Sequence, residues 1–439
     1  MKKQDYLEIL RQEVIPSLGV TEPGAVALCC AAASDNNRIQ TRKIELNVSP
    51  SIYKNCLSVG IPGFSQKGIA AAAALGAVGG DFHKGLEALS SAGGQSAAAC
   101  RKLIDSGAVT VHITHHDKSL YIEAICIGQS GRGRCIIENS HTNITLLEHD
   151  GQIIRSGRSG GQDAQLACVR LMEVTLDEML ENVLEMQPQE LTLMRQGGDM
   201  NLQAARWGLK NRPGMGAGGM LNDLLQQGIL EDSLSTDLQI YTAAAADVRV
   251  SGSFIPIMTC SGSGNHGIAA IVSVMRAAER LQASETRTLQ ALALSCLITI
   301  YIKNFSGRLS GMCGCGVAAA TGAAAAICML MGGGHHEIAG AIKNMAGDIT
   351  GMICDGAKEG CALKLSTAAA SAVRAALFAK NGLILPDDNG IISPSVEETM
   401  QNMGRVSSEG MSPTDHVILD IMSKKAPPKE KETLWGPIF

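Results

Sequence analysis

The sequence predicts an α+β protein, a mainly helical body with an inserted mixed helix/sheet domain, from three observations. Apolar residues recur at helical spacing near the start of the chain and again over most of its second half. Between residues 41 and 157 the period falls to two in several short runs, the mark of strands. Aromatic residues make up only 3% of the 439 residues, whereas glycine numbers 49 and alanine runs abound, so the core is expected to be close-packed helices with small contact residues. The expected division is residues 1–40 as N-terminal helices of the body, 41–157 as the insert, 158–423 as the helical domain, and 424–439 as a charged, proline-containing tail that is loose or docks on a neighbour.

Taken in order, Asp5 and Glu8 form a capping-box pattern for a helix whose apolar face carries Leu7, Leu10 and Val14 and which stops near Pro16. After the turn SLGVTEPG, an alanine-rich helix is expected over about 24–34. Ile44, Leu46 and Val48 then alternate, SPS breaks the run, and LSVGI reads as a second strand. Residues 66–80 and 84–106 return to helix. VTVHI, LYIEAICI, CIIEN and ITLLEHDGQII read as strands, the last with a turn at Asp150-Gly151. RSGRSGGQD (155–163) is the expected linker back to the body. LACVRLMEVTLDEMLENVLEM is a strongly amphipathic stretch, NRPGMGAGG (211–219) a glycine-rich break, and residues 412–423 a last helix. DVRVSGSFIPIMTCSGSGNHG (247–267) is the longest irregular stretch of the body, and long loops on a rigid frame often carry function.

A net charge of −5 and a pI of about 6.1 argue against nucleic acid and anionic membranes as partners. MKKQDYLEILRQEV is an amphipathic helix pattern and lacks the apolar stretch of a signal peptide. The 14 cysteines therefore read as cytoplasmic thiols without a disulfide framework. Cys315–Gly334 is uncharged and has the length of a membrane span, but its alanine and glycine content favours a buried helix. A homo-oligomer and no membrane partner are expected.

Three cysteines look like a set. Cys354 and Cys361 bracket CDGAKEGC, whose glycines let backbone come close to an inorganic ligand, and Cys313 lies in RLSGMCGCG. Such a set suits three-point thiolate ligation of a metal or iron–sulfur cluster. The alternative is buried thiols filling core. Cys315, two positions from Cys313, competes as first ligand. SGSGNHG (261–267), with Ser263, Asn265 and His266, either cradles an anion or is a glycine turn capping a helix. The same segment resembles one in pyridoxal-phosphate dehydratases, but no lysine for a Schiff base occurs between Lys210 and Lys303. Lys54 and Asn55, beside a strand end, either hold a substrate carboxylate or sit at the surface. His141 is either a base or a residue closing a β-turn. Lys303, Asn304 and Arg308 precede Cys313 and should lie near any cluster. Lys364 and Ser366 follow Cys361, with Lys364 on the same helix face at i+3. The pairs His115-His116 and His335-His336 lack the i, i+4 spacing of a helical metal site and read as solvated.

Together RLSGMC, GMICDGAKEGCALKLSTAA, PSLGVTEPGAVAL (16–28), SPSIYKNCLSVGIPG (49–63), HTNI (141–144) and SGSGNHGIAA resemble the L-cysteine desulfidase family, related to the alpha domain of iron–sulfur L-serine dehydratases. They follow the family's order and cover nearly the whole chain. The resemblance implies a [4Fe-4S] cluster on Cys313, Cys354 and Cys361 with one iron open to substrate. It implies β-elimination on a small amino acid, foremost L-cysteine, to pyruvate, ammonia and hydrogen sulfide, or a serine dehydratase-like reaction. Lys54, His141 and Lys364 become candidate catalytic residues. Thr21, Glu22, Asn55, Ser263, Asn265, His266, Lys303, Asn304, Arg308 and Ser366 become candidates for substrate binding. The chain departs from the family where a cysteine usually precedes TEP: Val20 stands there and neither ligates iron nor moves a proton, though it would leave an apolar plug against the cluster. No cysteine follows Cys361, so a fourth iron site is expected to be open. A cluster-bearing or apo protein without catalysis is the further alternative.

Overall fold

The computed structural model describes residues 1–92, 94–114, 119–157 and 168–425. His115-His116, the end of the expected linker and residues 426–439 of the expected tail lie outside them. The architecture is α+β. Six strands form one mixed sheet in the order β3-β2-β4-β5-β6-β7, where β2 is Thr41–Val48, β3 Val109–Ile113, β4 Tyr121–Gly128, β5 Arg132–Glu138, β6 Ile144–His149 and β7 Gln152–Ser156. Only β2 and β3 run parallel, and the helical segments between them provide the crossover such a pair needs. Asp150 and Gly151 both take positive φ, as the expected tight hairpin requires.

Buried apolar side chains form two groups. One contains Tyr6–Val14 and runs from Leu171 to Met403; the other runs from Val20 to Leu147 and adds Leu419. The first helix, α1 (Lys3–Glu13), therefore belongs to the body, while α2 (Thr21–Ala33) packs with the sheet. The change from one group of buried side chains to the other falls between Val14 and Val20. Every residue of α2 is buried, because the helix is apolar all round and lies between the sheet and α4 (Ile69–Gly79). The two helices approach so closely that a Cβ on Gly76 would stand 2.3 Å from the Ala27 carbonyl oxygen, the close packing that the small-residue composition predicts.

Several elements differ from expectation. Asp5 is the third residue of α1 and accepts the Lys2 backbone N–H at 3.0 Å, so it caps from inside the first turn. Pro16–Leu18 is a strand, β1, that pairs antiparallel with β8 (Pro256–Met258) and ties the N-terminal segment to the body. PSIYKNC is a helix, α3 (Pro50–Cys56), and LSVGI forms only an isolated bridge at Gly60. The proline at the first helical position favours a helix start, and Lys54-Asn55 thus sit on a helix, not at a strand end.

In the body, α5 (Gly94–Asp105) of the insert is followed by α6 (Leu176–Leu184), α7 (Thr192–Asn211), α8 (Ala217–Gln226), α9 (Leu234–Val250) and α10 (Ser273–Arg280). Next come α11 (Glu285–Ser306), α12 (Ala320–Leu330), α13 (His335–Ile349), α14 (Cys361–Lys380), α15 (Val396–Arg405) and α16 (Ser412–Ser423). DVRV, expected to be irregular, is the last turn of α9, which packs along α14. By length and composition α11 and α14 could each cross a bilayer; here α11 is largely buried in the body and α14 packs against α9, α12 and α13.

Asp247 on α9 accepts the Gly218 N–H at 3.1 Å, pinning the glycine-rich break to the helix. Burial pushes its carboxyl up to about 6 against the lowering pull of the Gly218, Ala217 and Gly216 N–H groups. A folded pKa above the unfolded value means that this contribution to stability is complete at low pH and lost as pH rises through about 6. Asp247→Asn should accordingly gain thermal stability relative to the wild type as pH rises from about 4 to about 6, and keep that gain above it. A difference that shrinks over that interval refutes it.

Candidate functional site

A short antiparallel pairing brings the distant cysteines together. The Cys313 N–H donates to the Met352 carbonyl at 2.8 Å, the Cys354 N–H to that of Gly311 at 2.7 Å, and Met312 bridges Ile353. Cys315 opens a π-helical turn, Cys315–Ala319, an irregularity frequent at functional sites. Cys361 is the first residue of α14.

The loop from Cys354 to Cys361 is fastened to α3. Lys358 donates to the carbonyls of Lys54, at 3.0 Å, and Leu57 at the end of that helix. Gly356 has φ +93, and a Cβ there would stand 2.9 Å from the Lys54 carbonyl oxygen and 3.1 Å from Asn55 Oδ1. Gly356→Ala should therefore cost about 1–2 kcal/mol in backbone strain alone, with a lowered Tm. An unchanged melting curve would show that the loop does not depend on this conformation.

The result is a half-open cavity of about 60 Å³ lined by Cys313, Cys315, Cys354 and Cys361 together with Glu22, Asn55, Arg249, Ser263, Asn265, His266, Lys303, Arg308 and Lys364. Cys313 and Cys315 have their sulfurs 3.4 Å apart. The bond from Cys315 draws the Cys313 thiol down to about 7 against the opposing effect of burial, helped by the Gly316 N–H and Lys364. Cys315 is raised in turn. Burial pushes the Cys361 thiol up to about 12.

The charged and basic groups divide sharply. Burial lowers Lys303 to about 8, and the charge of Arg308 lowers it further; the three nearby cysteines oppose this. It makes no hydrogen bond or ion pair among the described residues. His266 is pushed down to about 3, first by burial and then by Lys303. Its Nδ1 lies 3.1 Å from the Cys260 carbonyl, so in the neutral ring Nδ1–H donates and Nε2 keeps its lone pair. Burial pushes Glu22 up, but His141, Arg249 and the Asn55 amide outweigh it and hold the carboxylate well below its ordinary range. Asn55 Nδ2 donates to Glu22 at 2.9 Å.

Not every candidate reaches the cavity. Lys54 is buried but turned away, paired with Asp415 of α16 at 2.6 Å and donating to the Cys354 carbonyl at 3.0 Å. His141 lies behind Glu22, its Nε2 3.8 Å from that carboxylate. Thr21 donates to Glu22 at 3.0 Å from outside the lining. Asn304 points to the Cys168 carbonyl and Ser366 to Gln239. Lys364 lines the cavity, but Asp355 pairs with it and raises its pKa despite burial, so it is held as a cation. Val20 is buried in the core of the sheet unit and is not among the lining residues, so it forms no plug there.

Sequence reasoning missed Arg249. It ends an alanine-rich helix and is 1% exposed, and its Nε and Nη1 have no partner among the described residues. The available signal was a guanidinium that follows an alanine run and stands between two valines, since a charged side chain is almost never fully buried unless something pairs with it.

Four thiols on one cavity are a donor set of the chemistry that holds an iron–sulfur cluster. Among the described residues no group of three histidine, cysteine or acidic side chains converges on one metal position. Cluster thiolates each hold a different iron and need not meet at a point. Four thiols share one cavity, one of them near neutrality, and the guanidinium groups of Arg249 and Arg308 and the Lys364 ammonium line it to offset negative charge.

Comparison with known proteins agrees with this geometry at the level of family. Residues 162–420 match the family model of the serine dehydratase alpha chain. A UPF0597 protein of Clostridioides difficile is 41% identical over 421 residues, spanning 95% of this chain and 99% of its own. A UPF0597 protein of Alkaliphilus oremlandii is 40% identical over 421 residues, spanning 96% and 98%. One from Caldanaerobacter subterraneus is 38% identical over 419 residues, spanning 95% and 98%.

Proposed function

The chain belongs to the serine dehydratase alpha-chain family, and from that premise we propose that it is a lyase performing β-elimination on a small amino acid with a [4Fe-4S] cluster held by Cys313, Cys354 and Cys361. L-cysteine, yielding pyruvate, ammonia and hydrogen sulfide, is the substrate we favour; L-serine is the alternative within the same chemistry. The observation that carries the reading is a cavity lined at once by four cysteines, a guanidinium and a buried lysine with no partner among the described residues.

When bound, such a cluster supplies a Lewis-acidic iron that makes a β-thiol or β-hydroxyl a better leaving group. The protein's share is to orient the substrate, exclude water and take the α-proton. Lys303 is the base we propose. It lines the cavity, its pKa of about 8 leaves a substantial neutral fraction near physiological pH, and it makes no hydrogen bond or ion pair among the described residues. Lys54 is taken up by Asp415 outside the cavity, Lys364 is paired with Asp355, and His141 does not line the cavity. Loss of the α-proton and of the β-substituent leaves an enamine, which tautomerises and hydrolyses to the 2-oxo acid and ammonia. The cytoplasm as location and a homo-oligomeric state belong to the same proposal.

Anaerobic purification with iron and sulfide analysis, followed by an amino-acid panel read as 2-oxo acid, tests the reading. The expected result is cluster stoichiometry and turnover of cysteine or serine. A full cluster with no turnover of any amino acid would make the protein a non-catalytic cluster carrier.

A further inference from the structure

Two opposite charges line the cavity without satisfying each other. Arg249 is 1% exposed and Glu22 5% exposed. They form no direct ion pair among the described residues; Thr21 stands between them, accepting from Arg249 Nη2 at 3.4 Å and donating to Glu22 at 3.0 Å. Arg249 Nε and Nη1 have no partner among the described residues, and neither have the side-chain oxygens of Asn55 and Asn265 on the same lining. Buried charges and amides left in this state are destabilising unless something pairs with them. Nothing in the proposed cluster ligation or proton transfer uses them.

We propose that Arg249 and Glu22 form the recognition pair for the head of a free α-amino acid, Arg249 taking the carboxylate and Glu22 the ammonium. Guanidinium presents paired donors that match a carboxylate. The Glu22 carboxylate, with the Asn55 and Asn265 oxygens, offers acceptors to an ammonium, which is a donor only. A zwitterion serves both ends together; a hydroxy acid or a simple carboxylic acid brings no cation to Glu22, and an amine brings no anion to the unpartnered Arg249 nitrogens. The selectivity is thus for both charges on one carbon, whatever the side chain. This rests on the lyase reading for the identity of the cavity as a substrate site, but not for the reaction performed there.

The test uses L-alanine, which has no leaving group, with propanoate and isopropylamine as probes lacking one charge each. Titration of anaerobically purified protein should show alanine binding at least tenfold tighter than either. Arg249→Met should weaken alanine at least tenfold and leave isopropylamine unchanged. Glu22→Gln should bring alanine down towards propanoate. If Arg249→Met does not fold, Arg249→Lys keeps the charge but loses the planar fork and should still weaken alanine severalfold. Absent alanine binding, equal binding of either single-charge probe, or alanine affinity unaltered in a folded Arg249 variant overturns the inference. The iron analysis and turnover panel are scored separately: alanine bound through Arg249 without turnover of any amino acid defeats the lyase reading alone, and turnover with alanine affinity indifferent to Arg249 defeats this inference alone.

Discussion

Replacing Cys354 with alanine should abolish the visible absorption of the anaerobically purified protein and bring amino-acid turnover below detection. The effect is the largest expected because a cluster with a missing thiolate loses a bond to iron, not a polar contact. Cys313→Ala and Cys361→Ala should do the same. Each side chain lines the cavity, and each is positioned by backbone bonds that survive the substitution: Cys313 by its bond to Met352, Cys354 by its bond to Gly311, Cys361 by its place at the start of α14. The variants should therefore fold, which the far-ultraviolet spectrum checks. Cys168→Ala and Cys296→Ala are controls, since neither residue lines the cavity. Cys315 discriminates further. Its sulfur lies 3.4 Å from that of Cys313, close enough to exchange roles. Loss of absorption in Cys315→Ala with retention in Cys313→Ala would reassign the first ligand.

Lys303→Met should lower kcat by about 10²–10⁴, the usual worth of a positioned general base, with iron content unchanged. Methionine matches the length of the buried stem and removes only the amine, so packing within α11 is kept. The pH profile separates a base from a prop. A base must be neutral to accept a proton, and burial together with Arg308 lowers this amine to about 8. Wild-type turnover should rise with pH to a plateau above about 8, and that limb should vanish in the variant. A variant that loses rate uniformly but keeps the limb would leave Lys303 a structural cation, with His266 Nε2 the next group facing the cavity.

Most of this protein's scaffold can be read from its residues because the relevant rules are local. Alternation of Ile44, Leu46 and Val48 with half-buried neighbours follows from the two-residue period of a strand, and an Asp-Gly turn follows from its tolerance of positive φ. Where the sequence misled, local signals conflicted. PSIYKNC has β-favouring residues, but its first-turn proline and its burial between the loop of Cys354–Cys361 and α16 decide for helix. Beyond its first turn α2 is apolar on every side and carries no amphipathic stripe to say which core it enters; only contact with β4, β5 and α4 assigns it to the sheet.

The candidate site divides along the same line. The sequence by itself determined the kinds of group available: cysteines flanked by glycine, a serine–glycine–asparagine–histidine loop, lysines close by, and Val20 in place of a cysteine. Tertiary structure alone decided which of them act together. Lys54 and Asn55 are neighbours in sequence, yet successive helical side chains point about 100° apart, so Asn55 enters the cavity while Lys54 pairs with Asp415 some 360 residues away. Arg249 gained its place because the fold put a guanidinium where water cannot reach it, opposite Glu22 from another core. Residue chemistry is a property of the chain, but burial, pairing and the lowered pKa of Lys303 are properties of what surrounds it, and those surroundings come from segments distant in sequence.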